Sequence, residues 1–303
     1  MSGNDPQTDT RPFGRVLTAM VTPFTADGAL DADGAARLAT YLVDNGNDGL
    51  VISGTTGEAP TTTDEEKDRL LRAVVEAVGD RATIIAGVGT NDTAHSVQLT
   101  QAAEKAGADA ALAVTPYYSK PPQSGLLGHF RAIADATGLP VMLYDIPGRT
   151  ATPIATETLV ALAEHPRIVA VKDAKGDFEA SSWVLARTDL AYYSGDCKHT
   201  LPLLAIGGVG VVGVPTHLTG VREAEMIRAY ESGDVAGALR IHRQLLPVFS
   251  GFFRTQAVIL TKAALTLVGL PGGPVRSPLP DATPEEIAQL RVDLAAAGVE
   301  VAE

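Results

Sequence analysis

Short apolar runs rich in valine and isoleucine recur along the chain, separated by longer amphipathic stretches. Their apolar character is continuous rather than alternating, as strands covered on both faces require. Eight such runs occur, at 16–24, 48–54, 83–89, 110–116, 140–147, 168–174, 191–196 and 209–215. The connecting stretches are long enough for helical crossovers, so the pattern predicts parallel β/α units.

Eight evenly spaced units favour an α/β fold of the (β/α)8 TIM-barrel type over an open doubly wound sheet. After Pro215 the pattern becomes purely helical. We therefore predict a flexible N-terminal tail at 1–12, a (β/α)8 barrel at 13–233 and a C-terminal helical extension at 234–303.

The stretch between the second and third runs shows why the connectors are predicted to be helices. Thr63 and Glu66 have the spacing of a capping box, and acidic residues fill the first turn. One apolar stripe follows, formed by Leu70, Leu71, Val74, Val75 and Val78. The pair Gly79-Asp80 then ends the predicted helix.

Composition narrows the class of protein. A net charge of −12 argues against nucleic-acid binding, because neutralising phosphates needs a basic face. Cys197 is the only cysteine, so no intrachain disulfide can form. No apolar run approaches the ~20 residues of a membrane span, and the polar N-terminus lacks the apolar core of a signal peptide. These features predict a cytoplasmic protein without a membrane partner.

Lys172 ends the apolar run IVAVKD, at the end of a strand where barrel active sites lie. It shares parity with Ile168 and Ala170, so if these face the barrel interior, Lys172 does too. Burial would lower the pKa of its amine and leave it neutral and nucleophilic. The alternative is a lysine that extends to water or pairs with Asp173.

Other polar residues follow the strands. Tyr144 could relay protons or be a core tyrosine with a satisfied hydroxyl, and only one of Tyr117 and Tyr118 can enter a given pocket. The turn GTTGE at 54–58 could hold a carboxylate through its hydroxyls and N–H groups. Arg149 could bind a carboxylate in bidentate fashion or be an exposed loop arginine.

Metal and thiol chemistry find little support. The six histidines are scattered without ligand spacing, so no metal site is predicted. A thiol nucleophile at Cys197 with His199 is a weaker hypothesis, since no third group is evident.

Four motifs, GTTGE, VTPYYSKP, LYDIPGR and VKDAKG, occur in this order on the second, fourth, fifth and sixth runs. Together they resemble the dihydrodipicolinate synthase family of the pyruvate-dependent class I aldolases, the N-acetylneuraminate lyase superfamily. The resemblance extends from about Phe13 to the C-terminus.

The resemblance implies a lyase in which Lys172 forms a Schiff base with pyruvate. The derived enamine would attack aspartate semialdehyde and give 4-hydroxy-tetrahydrodipicolinate, in the diaminopimelate route to lysine. The implied proton relay consists of Tyr144, Thr56 and Tyr118, the last supplied by a neighbouring subunit. No cofactor is implied beyond the covalent imine on Lys172.

The resemblance also implies substrate contacts and an assembly. Thr55, with Thr56, would hold the pyruvate carboxylate, and Arg149 would meet that of the semialdehyde. Gly195 and the backbone at Val212 would complete the wall. A tyrosine borrowed from a neighbour implies at least a dimer, and a homotetramer is expected.

Two departures from the family pattern keep other functions open. YDIP stands where YNIP or YNVP is commoner, and SGDCKH replaces the usual GDD. An inward-pointing Lys198 could favour a sugar-acid or other aldehyde acceptor, and a non-catalytic keto-acid-binding barrel is a third possibility. In some relatives lysine binds near the relay; here Lys67 and His95 fall at equivalent positions, so lysine inhibition is predicted to be weak or absent.

Overall fold

The strands form one closed parallel barrel in sequence order, each paired with its neighbours along the chain and β1 with β8. This is seen in a computed structural model that describes residues 11–301. The strands are β1 Val16–Ala19, β2 Gly49–Ile52, β3 Thr83–Gly87, β4 Ala110–Val114, β5 Val141–Asp145, β6 Ile168–Asp173, β7 Ala191–Ser194 and β8 Gly210–Gly213.

Helices connect the strands and then continue beyond them. The connecting helices are α1 Ala32–Asp44, α2 Asp64–Val78, α3 Thr93–Ala106, α4 Gln123–Asp135, α5 Pro147–Thr150, α6 Thr156–Ala163, α7 Phe178–Leu185 and α8 Thr200–Leu204. After β8 come α9 Thr216–Glu231, α10 Val235–Gly251, α11 Ala257–Leu267 and α12 Pro284–Ala296. The predicted TIM barrel followed by helices is confirmed.

The strands are shorter than the apolar runs from which they were predicted. The first run, 16–24, contains a strand of only four residues, because the remainder forms the loop that leaves the barrel. The predicted start of the extension at 234 falls between α9 and α10. The predicted tail lies outside the described residues except for Arg11 and Pro12. No helix within 11–301 combines the length and apolarity needed to cross a membrane.

Buried apolar side chains form two groups, and alternate residues of a strand supply different groups. Leu143 and Val171 belong to the group that includes the inner faces of the connecting helices. Met142 and Tyr144 belong to the group that fills the barrel and continues into the extension. This division follows from the period of two along a strand.

Helix α2 forms as its sequence predicts. The Thr63 hydroxyl accepts a hydrogen bond from the Glu66 N–H, and the Glu66 carboxylate accepts one from the Thr63 N–H, completing a capping box. The stripe is buried except for Val75, which is only partly covered. The helix ends at Val78, and Gly79 follows as the C-cap.

The parity argument for Lys172 is wrong in one detail. Val141 pairs with Ile168, but the next residue, Met142, pairs with Ala170, so β6 contains an extra residue near Val169. Ile168 therefore packs with the helices, while Ala170 belongs to the barrel interior. Lys172 shares the interior face with Ala170 alone.

Candidate active site

Lys172 lies inside the carboxyl end of the barrel and is 4% exposed. It pairs in register with Tyr144 across β5 and β6, and its Nζ lies 4.3 Å from the centre of the tyrosine ring. Burial lowers the pKa of the amine to about 7, with Cys197 opposing and Arg149 reinforcing that shift. A substantial fraction of the amine is therefore neutral near pH 7, as a nucleophile requires.

The alternative of a lysine that pairs with Asp173 does not match the structure. Asp173 faces the helices, where its Oδ1 accepts a hydrogen bond from the Lys175 N–H at 2.8 Å. Its Oδ2 accepts one from the Ser181 hydroxyl at 2.5 Å. Lys172 thus has no carboxylate partner among residues 11–301.

Asp145, the residue after Tyr144, also faces outward. Its Oδ1 accepts a hydrogen bond from the Ile154 N–H at 3.2 Å, and its Oδ2 lies 3.6 Å from the Lys175 ammonium. Burial raises the pKa of this carboxyl to about 6, against the opposing effect of Lys175. The two acids that adjoin the candidate catalytic pair therefore fix the loops around it rather than touching the amine.

Tyr144 is buried, and burial raises the pKa of its phenol to about 12. The phenol consequently stays protonated near neutral pH and can donate a proton. Its backbone carbonyl accepts hydrogen bonds from the N–H and the hydroxyl of Thr115, at 3.0 and 3.1 Å. The end of β4 thereby fixes the position of Tyr144 on β5.

A cavity of about 450 Å³ opens beside Tyr144. Thr55 and Arg149 also line it, so the structure brings these three candidate site residues together. Lys172 adjoins this space through its contact with the Tyr144 ring. The arrangement places a nucleophilic amine, a proton donor and a carboxylate-binding cation around one small cavity.

The carboxylate-binding candidates lie on the turn SGTTGE, residues 53–58, after β2. The Glu58 N–H donates to the Thr55 carbonyl at 3.1 Å, and the Gly57 carbonyl accepts from the Thr22 hydroxyl at 2.6 Å. Thr55 lines the cavity, whereas Thr56 is buried and is not part of the cavity wall.

Arg149 lies on the short helix α5 and is exposed at the mouth of the cavity. No carboxylate within the described residues pairs with it, so its guanidinium is available to a ligand. This position agrees with carboxylate capture better than with a structural ion pair.

The two tyrosines at the end of the fourth run have different surroundings, as expected from alternation. Tyr117 lines the cavity. Tyr118 is 90% exposed and has a left-handed backbone, with φ of 72°. The structure therefore does not bring Tyr118 to Lys172 within one chain.

Gly195 and Val212 lie on neighbouring segments of the barrel. The Gly195 N–H donates to the Asp173 carbonyl at 2.7 Å, directly after Lys172 on β6. A Cβ at Gly195 would lie 2.8 Å from that of Ala174, so the approach of these segments requires glycine. Val212 is fully buried on β8 in the same apolar group as Tyr144.

The segment SGDCKH, which departs from the family pattern, contains the Cys197 thiol, but this thiol is not activated as a nucleophile. Burial raises the pKa of the Cys197 thiol well above its usual value, with Glu223 adding to the shift. Glu223 is itself fully buried, and burial raises the pKa of its carboxyl to about 8. Lys198 lies 3.3 Å from the Asp196 carboxylate and near the Phe253 ring, away from the cavity.

Sequence reasoning did not find the structural roles of several side chains around the site, namely Thr115, Asp145, Asp173, Lys175 and Glu223. For two of them a signal existed: Asp145 and Asp173 each follow a candidate catalytic residue on a buried strand, so they must face the helices. Within 11–301 no group of three histidine, cysteine or acidic side chains could hold a metal ion.

A parallel eight-stranded barrel with a buried lysine against a tyrosine at its carboxyl end defines the class of Schiff-base-forming lyases. More particularly, residues 12–297 match the model of the dihydrodipicolinate synthetase family, and the chain belongs to this family.

Relatives support the same assignment. The chain is 79% identical to the 4-hydroxy-tetrahydrodipicolinate synthase of Acidothermus cellulolyticus, over 95% of this chain and 93% of that protein. It is 66% identical to 4-hydroxy-tetrahydrodipicolinate synthase 2 of Streptomyces coelicolor, over 98% of each. Among solved structures, lysine-bound DHDPS from Cyanidioschyzon merolae superposes with a TM-score of 0.93 at 45% identity, covering 95% of this chain and 99% of that one.

Proposed function

We propose that this chain is a lyase that condenses pyruvate with aspartate semialdehyde to form 4-hydroxy-tetrahydrodipicolinate. The observation that carries the proposal is the amine of Lys172, buried in the barrel mouth 4.3 Å from the Tyr144 ring and with a pKa of about 7. The name borne by relatives that are 79% and 66% identical supports the choice of reaction.

The first half of the reaction uses the amine. Neutral Lys172 attacks the keto carbon of pyruvate, and the resulting carbinolamine loses water to give an imine. The imine is an electron sink, so a proton leaves the methyl carbon and an enamine forms. The enamine carbon then attacks the aldehyde carbon of the semialdehyde, and the aldehyde oxygen takes up a proton. The amino group of the semialdehyde next attacks the imine carbon, which closes the ring, expels the Lys172 amine and releases 4-hydroxy-tetrahydrodipicolinate.

Protons must be delivered where these bonds break and form. Tyr144 is suited to this role because its phenol stays protonated and lies against the amine. Thr55 and Thr56 of the 53–58 turn would hold the pyruvate carboxylate. Arg149, exposed at the mouth, would receive the carboxylate of the semialdehyde. The imine chemistry requires no diffusible cofactor.

A sugar-acid acceptor is less well supported. That alternative rests on Cys197, Lys198 and His199, with Lys198 as a second cation in the pocket, and the Lys198 ammonium instead lies beside Asp196. A non-catalytic barrel would not require a lysine amine with a pKa of about 7.

The assembly is part of the proposal. Tyr118 would reach the active site of a neighbouring subunit, since its side chain is 90% exposed and does not line the cavity of its own chain. This requires at least a dimer, and we propose a homotetramer. A cytoplasmic location agrees with the single, unpaired and buried Cys197.

Lysine inhibition stays a prediction. The six positions equivalent to lysine contacts in relatives all line the cavity. They are Ala59, Asp64, Lys67, Asn91, His95 and Tyr117. The Asp64 carboxylate is already engaged by His95 at 2.9 Å and by Lys67 at 3.6 Å. This pairing removes an acceptor that a cationic ligand would need.

The decisive test is reduction with borohydride in the presence of pyruvate. We expect a covalent adduct on Lys172, found by peptide mass spectrometry, and no adduct in the Lys172→Ala variant. A turnover assay then compares aspartate semialdehyde with sugar-acid aldehydes, and we expect the semialdehyde to be preferred. Absence of an adduct in the unmodified protein would exclude imine chemistry, and preference for a sugar acid would exclude the synthase.

A further inference from the structure

The turn at 53–58 ends on a buried acid. The Glu58 side chain is 2% exposed, and its Oε1 lies 2.6 Å from the Nζ of Lys262, which is 3% exposed. The other oxygen, Oε2, accepts a hydrogen bond from the backbone N–H of Arg276 at 2.8 Å. A buried carboxylate is retained only when it is paired in this way.

Both partners of Glu58 belong to the C-terminal extension. Lys262 lies on α11, where its ammonium also donates to the Pro274 carbonyl at 2.8 Å and lies 4.2 Å from the centre of the Phe24 ring. Arg276 follows α11, and its guanidinium lies 4.1 Å from the same ring. The two cations are therefore held in place by contacts that do not involve Glu58.

The Arg276 guanidinium is bound still more firmly. It forms a bidentate pair with Glu66 on α2, at 2.6 and 2.7 Å, and donates to the carbonyls of Gly28 and Thr61 at 2.7 Å each. Gly28 lies in the loop between β1 and α1, and Thr61 follows the 53–58 turn in the connection between β2 and α2. The extension thus provides a fixed frame against which Glu58 is placed.

The turn itself has an unfavourable backbone. Ser53 and Glu58, its first and last residues, both have left-handed conformations, with φ of 58° and 55°. Side chains other than glycine and asparagine seldom adopt this region unless their surroundings impose it. At Glu58 the surroundings are the ion pair with Lys262 and the hydrogen bond from Arg276.

We propose that Glu58 is a positioning residue for the keto-acid substrate, and that its ion pair with Lys262 lets the C-terminal extension set the orientation of Thr55 and Thr56. This inference rests on the proposed function, in which these threonines receive the pyruvate carboxylate. Glu58 touches neither substrate nor amine; it acts through the turn. The extension is then part of the substrate site although none of its residues up to 301 lines the cavity.

The test is the Glu58→Gln variant, which keeps the shape of the side chain and removes its charge. We expect the KM for pyruvate to rise about tenfold or more, because misplaced threonines weaken carboxylate binding, while the KM for the semialdehyde changes little; any fall in kcat at saturating pyruvate reports displacement of the relay hydroxyl of Thr56. Borohydride should still trap an adduct on Lys172 once pyruvate is saturating.

The matched control is Asp293→Asn, which breaks the ion pair of Asp293 with Arg254, two residues of the extension that are not partners of Glu58. Asp293 is as buried as residues of the core, so the control reproduces a loss of stability without a loss of positioning. Its pyruvate KM should equal that of the unmodified protein. Thermal denaturation of both variants shows that each is folded.

Two results would overturn the inference: an unchanged pyruvate KM in folded Glu58→Gln, or an equal rise in Asp293→Asn. Should Glu58→Gln fail to fold, the partly exposed Arg276 is replaced in Arg276→Lys, which loosens the same frame and must raise the pyruvate KM selectively. Failure of the proposed function itself would be recognised separately, since the unmodified protein would then give no Lys172 adduct.

Discussion

At the scale of single residues, the candidate chemistry depends on the protonation of one amine. Of Lys172 and Cys197, the lysine amine is the stronger candidate for a nucleophile near neutral pH, because burial lowers the pKa of the amine but raises that of the thiol. Burial therefore favours the Lys172 amine over the Cys197 thiol as the nucleophile. The same effect keeps the neighbouring Tyr144 phenol protonated.

The first residue-scale prediction concerns pH. Since the pKa of Lys172 is about 7 and only the neutral amine attacks pyruvate, the rate of imine formation should rise with pH through that value. Between pH 6 and pH 8 the neutral fraction grows roughly tenfold. Borohydride trapping at low pyruvate, quenched at short times, measures the rate. A rate that is flat across this interval would contradict a pKa near 7.

How far the sequence could predict these residues depends on distance along the chain. Lys172, Tyr144 and Arg149 could be selected as candidates because they lie at or just after strand ends, where the barrel architecture places an active site. The pairing of Glu58 with Lys262 could not be predicted, since over 200 residues separate them and nothing in either segment specifies the partner. Long-range ion pairs leave no periodic signal.

At the scale of secondary-structure elements, α2 connects the candidate site to the extension. Its capping-box residue Glu66 accepts hydrogen bonds from Thr63 and also from Arg276. These contacts lower the pKa of the Glu66 carboxyl to about 2, with Arg276 as the largest cause. The first turn of this helix therefore has one role in its own stability and another in holding Arg276.

We expect Thr63→Ala to lower the free energy of unfolding by about 1 kcal/mol, as loss of an N-cap hydroxyl commonly does. The matched variant is Thr283→Ala, which removes the same hydroxyl from the capping box of α12. Urea denaturation measures both. Since the lost hydrogen bond is of the same kind, the two losses should be similar; a loss at Thr63 below the error of the measurement would show that the cap contributes nothing there.

The extra residue in β6 shows where prediction at this scale fails. The run from Ile168 to Val171 is uniformly apolar, so nothing in its composition marks a change of face. Lys172 faces inward because of the bulge and its pairing with β5, and an argument that relied on Ile168 reached the right face for the wrong reason. Register is set by neighbouring strands, which a single sequence does not display.

At the scale of the whole molecule, the role proposed for Tyr118 would link catalysis to assembly. Tyr144 and Lys172 adjoin the cavity, whereas Tyr118 is exposed and does not line it. If a neighbouring subunit supplies Tyr118, catalysis depends on association, and the activity should fall on dilution below the dissociation constant of the dimer.

Subunit mixing tests this arrangement. Lys172→Ala and Tyr118→Phe should each be nearly inactive alone, the first for lack of the amine and the second for lack of the relay hydroxyl. When the two are unfolded and refolded together, mixed dimers contain one site with both native residues, so activity should reappear. Sedimentation velocity confirms that mixed oligomers form. If they form without any gain in activity, Tyr118 does not act across the interface.

The apolar group that fills the barrel has one further consequence. It is continuous with side chains of the extension, including Val248, Phe249 and Leu260, so the barrel and the extension share one apolar core. Either part on its own would expose apolar side chains that the other part now covers. The division near residue 233 is therefore a change in chain topology and not a boundary between independent domains. Heat or denaturant should unfold the barrel and the extension in one cooperative step. Replacing either part with that of another protein would require redesign of the apolar core that the two share.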